Sequence, residues 1–274
     1  MKTKKIILCA DDFAFNKGVS KAILELLNKG CISATSCMST SPLWPEWGPR
    51  LKALHTSIDI GIHLDLTQFK PLTAALKGPL SIAQVILKAY SRQWSVSALE
   101  DEFSAQLHRF TEVVGFAPHF IDGHQHIHQF PQIRKALLTV CKTYFKNEKP
   151  PVRLVNGYPF LSPLRDSPLK FLIHVLGRQA FKKELDKIQW PYYPDFKGIY
   201  IFKGSSKTAT LFKQLLRQIA PGGLIMCHPG HQSDLSDPIS HIREEEYTFL
   251  NSPQWQVMRE AESIQLCSYK ETIS

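Results

Sequence analysis

Four short segments of the sequence place carboxylate and imidazole side chains directly after runs of apolar residues. The residues concerned are Asp11, Asp12, His63, Asp65, Asp122, His124, His126, His128 and His228. Imidazole and carboxylate groups bind divalent metals such as zinc, and they also serve as general acids and bases. The sequence therefore indicates a chemical site assembled from distant parts of the chain.

The segment Asp122-Gly-His-Gln-His-Ile-His is the densest of the four. Side chains two residues apart on a strand face the same side, so Asp122, His124 and His126 are predicted to share a face while the strand continues. Gly123 allows close approach of the backbone, and Asp122 is a candidate acceptor for the second ring nitrogen of a metal-binding histidine. The pattern favours metal ligation over a loop of surface histidines.

The adjacent carboxylates of Asp11 and Asp12 follow the first apolar run. They would repel each other unless a cation or hydrogen bonds offset their charge, although a helix N-cap before Asn16 is the alternative reading. Neighbouring residues on a regular strand face opposite sides. We therefore expect the strand to end or bulge here if both carboxylates serve one site.

The remaining two segments carry His63 and His228. Asp65 either orients His63 or faces solvent, and His228 either closes a turn before Pro229 or acts as an acid. One carboxylate with two imidazoles makes a three-ligand site with open positions, which is typical of catalytic rather than structural metals. Such a metal lowers the pKa of a bound water, while a second Asp acts as base and a separate His as acid.

The elements that must position these residues alternate between apolar runs and helical patterns. The predicted strands are Lys5–Ala10, Ser33–Met38, Ile58–Leu66, His119–His124, Val152–Val155, Gly198–Phe202, Gly223–Cys227 and Ile264–Tyr269. The predicted helices are Asn16–Asn28, Leu43–Leu54, Ser97–Val114 with a capping box from Ser97 and Glu100, Pro131–Phe145, Ser167–Lys187, Lys207–Ile219 and Ser240–Leu250. The irregular stretch Thr67–Ser95 is interpreted as an active-site loop.

This alternation predicts an α/β fold with a mostly parallel sheet and helices outside it. A TIM-barrel-like (β/α) barrel, complete, distorted or with seven strands, is favoured, and a doubly wound sheet is the alternative. Residues 1–274 are expected to form a single domain. Strand ends converge on one face of such folds, so the four polar segments are predicted to meet there.

Composition narrows the function further. The 274 residues carry a net charge of +9, but the basic residues are scattered, and no nucleic-acid-binding or nucleotide-binding motif is present. No apolar run reaches the ~18 residues of a membrane span, and the run Ile6–Ala10 is too short for a signal peptide. The six cysteines form no C-x-x-C pair. We expect a cytoplasmic protein with no nucleic-acid partner.

Together the four segments resemble the motifs of the YdjC-like carbohydrate deacetylases, a family that includes chitooligosaccharide deacetylases and hopanoid-biosynthesis-associated relatives. The matching stretches are Ala10-Asp-Asp-Phe13, Gly61-Ile-His-Leu64, Asp122-Gly-His-Gln-His-Ile-His128 followed by Pro131, and Cys227-His-Pro-Gly230. They occur in the family's order and extend over about Lys4 to Gly230. Four motifs in register are highly specific.

The resemblance implies a TIM-barrel-like fold, a homodimer, and metal-dependent removal of N-acetyl groups from amino sugars. By the same resemblance, Asp12, His63 and His124 match the metal ligands, Asp11 the general base, His228 the general acid, and His126 and His128 pocket histidines. Zinc is the favoured single divalent metal, with magnesium, cobalt, nickel and manganese as alternatives. Asp122 and Trp190 are further candidates for the substrate pocket, Trp190 because it lies in a proline-rich, aromatic stretch.

Two residues depart from the family pattern. Ala14 stands where glycine is usual, and a backbone with positive φ at this position would cost alanine ~1 kcal/mol. Gly123 stands where serine is common, which removes one hydrogen-bonding group. The alternatives to a deacetylase are a metal hydrolase of a phosphoester or cyclic amide, and a catalytically silent sugar-binding protein.

Overall fold

The computed structural model describes residues 3–146, 148–155, 176–198, 208–232 and 237–273. Within them the strands are β1 (Lys4–Phe13), β2 (Ala34–Cys37), β3 (Asp59–Leu64), β4 (Ile121–Gly123), β5 (Phe196–Lys197), β6 (Leu224–Cys227) and β7 (Ile264–Leu266). The α-helices are α1 (Lys17–Asn28), α2 (Trp44–Trp47), α3 (Ile82–Tyr90), α4 (Val96–Val114), α5 (Ile133–Tyr144), α6 (Arg178–Lys187), α7 (Thr208–Gln218), α8 (Ser240–Leu250), α9 (Pro253–Ala261) and α10 (Tyr269–Ile273). Two 3₁₀ segments cover Gly48–Leu54 and His124–Gln129.

The strands form one parallel sheet in the order β4-β3-β2-β1-β6-β5, and β7 also pairs with β1. β1 is the central strand: its first residues, Lys4 to Ile6, pair with β7, and Ile7 to Ala10 pair with β6. All six residues of β3 are buried, as expected for a parallel strand covered on both faces. The predicted parallel α/β architecture is confirmed.

The sheet is curled into a half-barrel. Parallel bridges join Ile121 of β4 to Val152, and Val152 to Tyr192, which lies shortly before β5. The bridges therefore bring the segment around Val152 alongside the β4 edge. Because all paired strands run in the same direction, their carboxyl ends lie at one rim of the half-barrel, where the polar residues follow.

Amphipathic helices cover the sheet. α4 buries residues spaced three or four apart, among them Leu99, Phe103, Leu107 and Phe110, against the sheet and α5. Gly115 ends this helix in a left-handed conformation with φ 85°. The stacked rings of Trp44 and Phe110, whose centroids are 5.3 Å apart, belong to the same core.

Several predicted details were wrong. The stretch Thr67–Ser95 contains the helix α3, whose Ser81 and Gln84 form a capping box, while the cap of α4 is Ser95 rather than a Ser97–Glu100 box. The predicted strand Val152–Val155 contributes only a bridge at Val152. Most of the predicted strand Gly198–Phe202 and the first part of the predicted helix Ser167–Lys187 lie outside the described residues.

In the described part of the chain, no helix combines the length and apolarity that a bilayer crossing requires.

Candidate metal centre

The end of β1 departs from regular strand geometry at the two adjacent carboxylates. Asp12 has a φ of 70°, and the pairing of β1 with β2 shifts register between Ala10 and Phe13. This is the predicted bulge, and it aims Asp11 and Asp12 at different partners. Ala14 also has a positive φ of 72°, as the family pattern with glycine suggested.

Asp12, His63 and His124 come together at the rim. The Oδ1 atom of Asp12 lies 3.1 Å from Nδ1 of His124 and 3.5 Å from Nε2 of His63. One ligand atom from each of the three residues lies within 4.8 Å of the other two. Asp12 and His63 are buried, and His124 is partly exposed. The three side chains therefore form a compact donor set with access from one side.

Asp122 orients the ring of His63. Nδ1 of His63 donates to Oδ1 of Asp122 at 2.6 Å, and the hydroxyl of Ser36 donates to the same oxygen at 2.5 Å. With Nδ1 engaged in this way, Nε2 of His63 faces Asp12, and loss of its proton would free this nitrogen to bind a metal. Burial alone would lower the pKa of His63, but the carboxylates of Asp122 and Asp11 outweigh it and raise the pKa to about 10.

A second set of candidate ligands, Asp11, His63 and Asp122, satisfies the same distance criterion. The two carboxylates of this set already form ion pairs with one guanidinium group, that of Arg153. Arg153 donates to both oxygens of Asp11, at 2.5 and 2.7 Å, and lies 2.6 Å from Oδ2 of Asp122. Burial would raise the pKa of Asp122, but Arg153 and His63 outweigh it and hold the pKa at about 2. Arg153 therefore already supplies positive charge to the carboxylates of this second set.

The set of Asp12, His63 and His124 fits a divalent metal better. Oδ1 of Asp12 is buried and has no hydrogen-bond partner within the described residues, although two ring nitrogens lie close to it. A carboxylate oxygen in such a position is compensated when a cation lies between it and the imidazoles. Burial would raise the pKa of Asp12, but Arg243 and His124 hold it well below its usual range. Asp12 is therefore an anion at neutral pH.

The strand that carries Asp122 ends earlier than expected. β4 stops at Gly123, and Gln125 and His126 adopt left-handed conformations with φ of 53° and 60°. The predicted common face of Asp122, His124 and His126 is therefore wrong. His124 reaches Asp12, whereas His126 packs edge-on against Phe196, with ring centroids 5.6 Å apart.

The candidate pocket residues are all buried. His128 is fully buried, and its Nε2 donates to the carbonyl oxygen of Arg153 at 2.7 Å. Trp190 is also buried, and its indole donates to the carbonyl of Pro150. Together with the buried Asp122, these side chains contact protein on all sides, which favours supporting roles. Assignment of these residues and His126 to a substrate pocket stays a prediction.

His228 follows β6 at the same rim. The pairing of Cys227 with Ala10 places His228 beside the start of the Asp11-Asp12 pair. Its backbone N–H donates to Oε2 of Glu246 at 2.6 Å. Burial lowers the pKa of His228 to about 4, and the nearby carboxylates of Asp12 and Asp11 offset only part of this effect. The imidazole is therefore neutral at pH 7 in this structure.

Sequence reasoning missed two buried arginines. Arg153 lies in the apolar run Val152-Arg-Leu-Val155, where a charged residue signals a buried ion pair. Arg243 lies in a charge-rich helix and gives no such signal. The prediction for Asp65 was also wrong, because its carboxylate accepts from the backbone N–H groups of residues 67–69 instead of orienting His63 or facing solvent.

Comparison with known proteins places the chain in a family. The family model described as YdjC-like protein matches residues 5–261, so the chain belongs to the YdjC family. The chain is similar to a carbohydrate deacetylase of Geobacillus stearothermophilus, at 27% identity over 97% of this chain and 96% of that protein. It is also similar to a chitooligosaccharide deacetylase of Yersinia enterocolitica, at 26% identity over 98% of this chain and 99% of that protein.

One solved structure has a closely similar fold. It is the crystal structure of a candidate cellobiose-phosphate cleavage protein from Enterococcus faecalis, with a TM-score of 0.72 and 21% identity. The alignment covers 98% of this chain and 99% of that one. This likeness supports the α/β architecture.

Proposed function

We propose that this chain is a divalent-metal-dependent hydrolase that removes N-acetyl groups from amino sugars or short N-acetylglucosamine oligosaccharides. The observation that carries the proposal is the convergence of Asp12, His63 and His124 at one rim of the sheet. The names of the relatives, carbohydrate deacetylase and chitooligosaccharide deacetylase, support the substrate class.

Asp12, His63 and His124 would hold the metal. One carboxylate and two imidazoles leave open coordination positions, and this donor set suits zinc, with cobalt, nickel or manganese as alternatives and magnesium less well matched. A bound divalent cation would lower the pKa of a coordinated water and polarise the acetamide carbonyl.

Asp11 is proposed as the base that accepts a proton from the attacking water. Both of its oxygens contact Arg153, so the guanidinium fixes the carboxylate beside the ligand set while limiting the positions at which it can take a proton. Overall, water and the acetamide yield acetate and a free amine. The amide C–N bond breaks, and the leaving nitrogen requires a proton.

His228 is proposed as the donor of that proton. Because burial holds its pKa at about 4, the neutral ring has to gain a proton during the cycle before it can give one to the nitrogen. Its place directly after β6, whose Cys227 pairs with Ala10 next to Asp11, supports this role.

We further propose that the chain forms a single domain and that its half-barrel is part of a TIM-like barrel. The bridges of Val152 to β4 and to Tyr192 support this closure. A homodimer and a cytoplasmic location remain predictions from the sequence. Sedimentation of the purified protein measures the first, and cell fractionation measures the second.

The deciding experiment is acetate release from N-acetylated chitobiose by the protein loaded with zinc or cobalt. We expect acetate and a free amine in equal amounts, and no acetate after chelation of the metal. His241, an exposed histidine on α8, provides the control variant His241→Gln, which should retain activity, whereas His124→Gln should lose it. Phosphate release from phosphoesters instead of acetate would overturn the proposal, as would sugar binding without turnover.

A further inference from the structure

Arg243 connects α8 to the proposed metal ligand Asp12. Its Nη2 donates to Oδ2 of Asp12 at 2.7 Å, and its Nε donates to Oδ2 of Asp237 at 2.6 Å. All three side chains are at least 97% buried. One oxygen of Asp12 is therefore taken by the guanidinium, and the other, Oδ1, is left to face His63 and His124.

The charges in this arrangement alternate. A cation, Arg243, lies between two carboxylates, so the group of three carries a net negative charge when both are ionised. If Arg243 had Asp12 as its only acidic partner, it would cancel the charge that attracts a metal. Asp237 shares the guanidinium and so leaves negative charge on Asp12. Such outer partners of metal ligands commonly tune metal affinity.

The same helix also fixes the segment that follows β6. The carbonyl oxygen of Arg243 accepts from the N–H of Gly230 at 2.9 Å, and Glu246, one turn along α8, accepts from the N–H of His228. The side chain of Arg243 packs over the ring of Phe15, 5.0 Å from its centroid. One helix thus sets the position of Asp12 relative to His228.

We infer that Arg243 and Asp237 are positioning residues of the metal centre, which hold Asp12 so that only Oδ1 is presented to the cation. The inference rests on the proposed function, because it assumes that Asp12 ligates a metal. Neither residue touches the proposed reacting atoms. Their effect is on how tightly and in what geometry the metal binds.

The test measures metal binding to the metal-free protein by titration calorimetry with Zn²⁺. Arg243→Lys retains a charge but loses the forked geometry that serves two carboxylates at once. Asp237→Asn retains the shape but lets Arg243 neutralise Asp12. We expect each variant to bind Zn²⁺ about 10- to 100-fold more weakly than the parent. The matched control is Arg217→Lys, whose exposed side chain pairs with Glu262 at the surface, and it should bind Zn²⁺ like the parent.

Circular dichroism and melting of the metal-free variants separate positioning from loss of fold. The visible spectrum of the Co²⁺-loaded protein gives a second readout, because a displaced Asp12 changes the ligand field. If Arg243→Lys does not fold, Asp237→Asn carries the test. Unchanged Zn²⁺ affinity in folded variants of a parent that binds zinc and releases acetate overturns the inference alone. A parent that binds no metal overturns the proposed function as well.

Discussion

The two neighbouring carboxylates of β1 have different surroundings although they are adjacent in the sequence. The positive φ of Asp12 turns its side chain toward His63 and His124, while Asp11 pairs with Arg153. A non-glycine residue in this conformation stores backbone strain, which is commonly found at functional sites. The bulge at the end of β1 therefore lets the side chains of Asp11 and Asp12 contact different partners.

We predict that Asp11→Asn separates catalysis from metal binding. The substitution removes the proposed base, so kcat for acetate release should fall by about 10²- to 10⁴-fold. Zn²⁺ affinity, measured by calorimetry, should remain close to that of the parent because Asp11 is outside the ligand set. Asp12→Asn is the matched comparison and should lose Zn²⁺ binding. Equal turnover by Asp11→Asn and the parent would contradict the assignment of the base.

Asp59 provides a second prediction at the residue scale. It lies at the start of β3, far from the rim, and accepts from the N–H of Tyr269 at 2.6 Å. Burial raises its pKa to about 6. Because the folded state then holds the proton more tightly than the unfolded chain, this group increases stability as the pH falls from about 6 to about 4 and costs stability above pH 6.

Asp59→Asn retains an acceptor oxygen but carries no charge. We expect its free energy of unfolding at pH 8 to exceed that of the parent by about 1–3 kcal/mol, following the size of the pKa shift, with little difference at pH 4. Urea unfolding at both pH values measures the difference. A variant that is less stable than the parent at pH 8 would show that the charge itself is needed.

At the element scale, the strands that carry the site were predictable and the helices between them were less so. Strands β1, β3 and β6 were marked by apolar runs that end in polar residues. The helix α3 was missed because Gly78, Pro71 and Pro79 suggest a loop, although Ser81 caps it through a box with Gln84. Turn-forming residues before a helix thus obscured its start.

The site followed the same pattern. Its local motifs predicted Asp12, His63 and His124, which the structure brings together, but the arginines that organise the carboxylates lie in distant segments. Arg153 comes 142 residues after Asp11, and Arg243 comes 231 residues after Asp12. Spacing along the chain carries no information about such pairs, because they exist only after the sheet has formed.

The segment 65–73, which follows β3, is held by buried carboxylates. Glu102 on α4 accepts from the N–H groups of Leu72 and Thr73 and from the side chain of Gln106. Asp65 accepts from three further N–H groups of this segment. By accepting these backbone hydrogen bonds, Asp65 and Glu102 fix the conformation of the segment that follows His63.

We predict that Glu102→Gln loosens this segment. A glutamine amide would place N–H donors against N–H donors, and the buried groups left unsatisfied should lower the free energy of unfolding by about 1–3 kcal/mol. Urea unfolding gives the stability, and hydrogen exchange of residues 67–73 gives the local effect. Asp101→Asn, on the exposed side of the same helix, is the control and should change neither measurement.

For the whole molecule, buried histidines couple folding to pH. Burial lowers the pKa of His128 to about 4, and the same holds for His228. Since the unfolded chain binds these protons near pH 6.5, the stability contributed by neutral histidines is complete above that pH. It is lost as the pH falls toward 4.

We predict that His128 and His228 each lower the free energy of unfolding of the parent by about 3 kcal/mol as the pH falls from 6.5 to 4. His128→Gln should show a shallower fall over the same range, whatever its stability at pH 8. Urea unfolding at half-unit pH steps measures the slope. Parallel curves for the parent and the variant would exclude His128 as a source of the acid sensitivity.

The pairing of β1 has a consequence for folding during synthesis on the ribosome. β1 finds its neighbours β6 and β7 only after residues 224–227 and 264–266 have emerged. Arg243, which anchors Asp12, also arrives late. A prematurely terminated chain therefore contains every proposed metal ligand yet lacks the partners that align them, so shortened products should be inert rather than partly active.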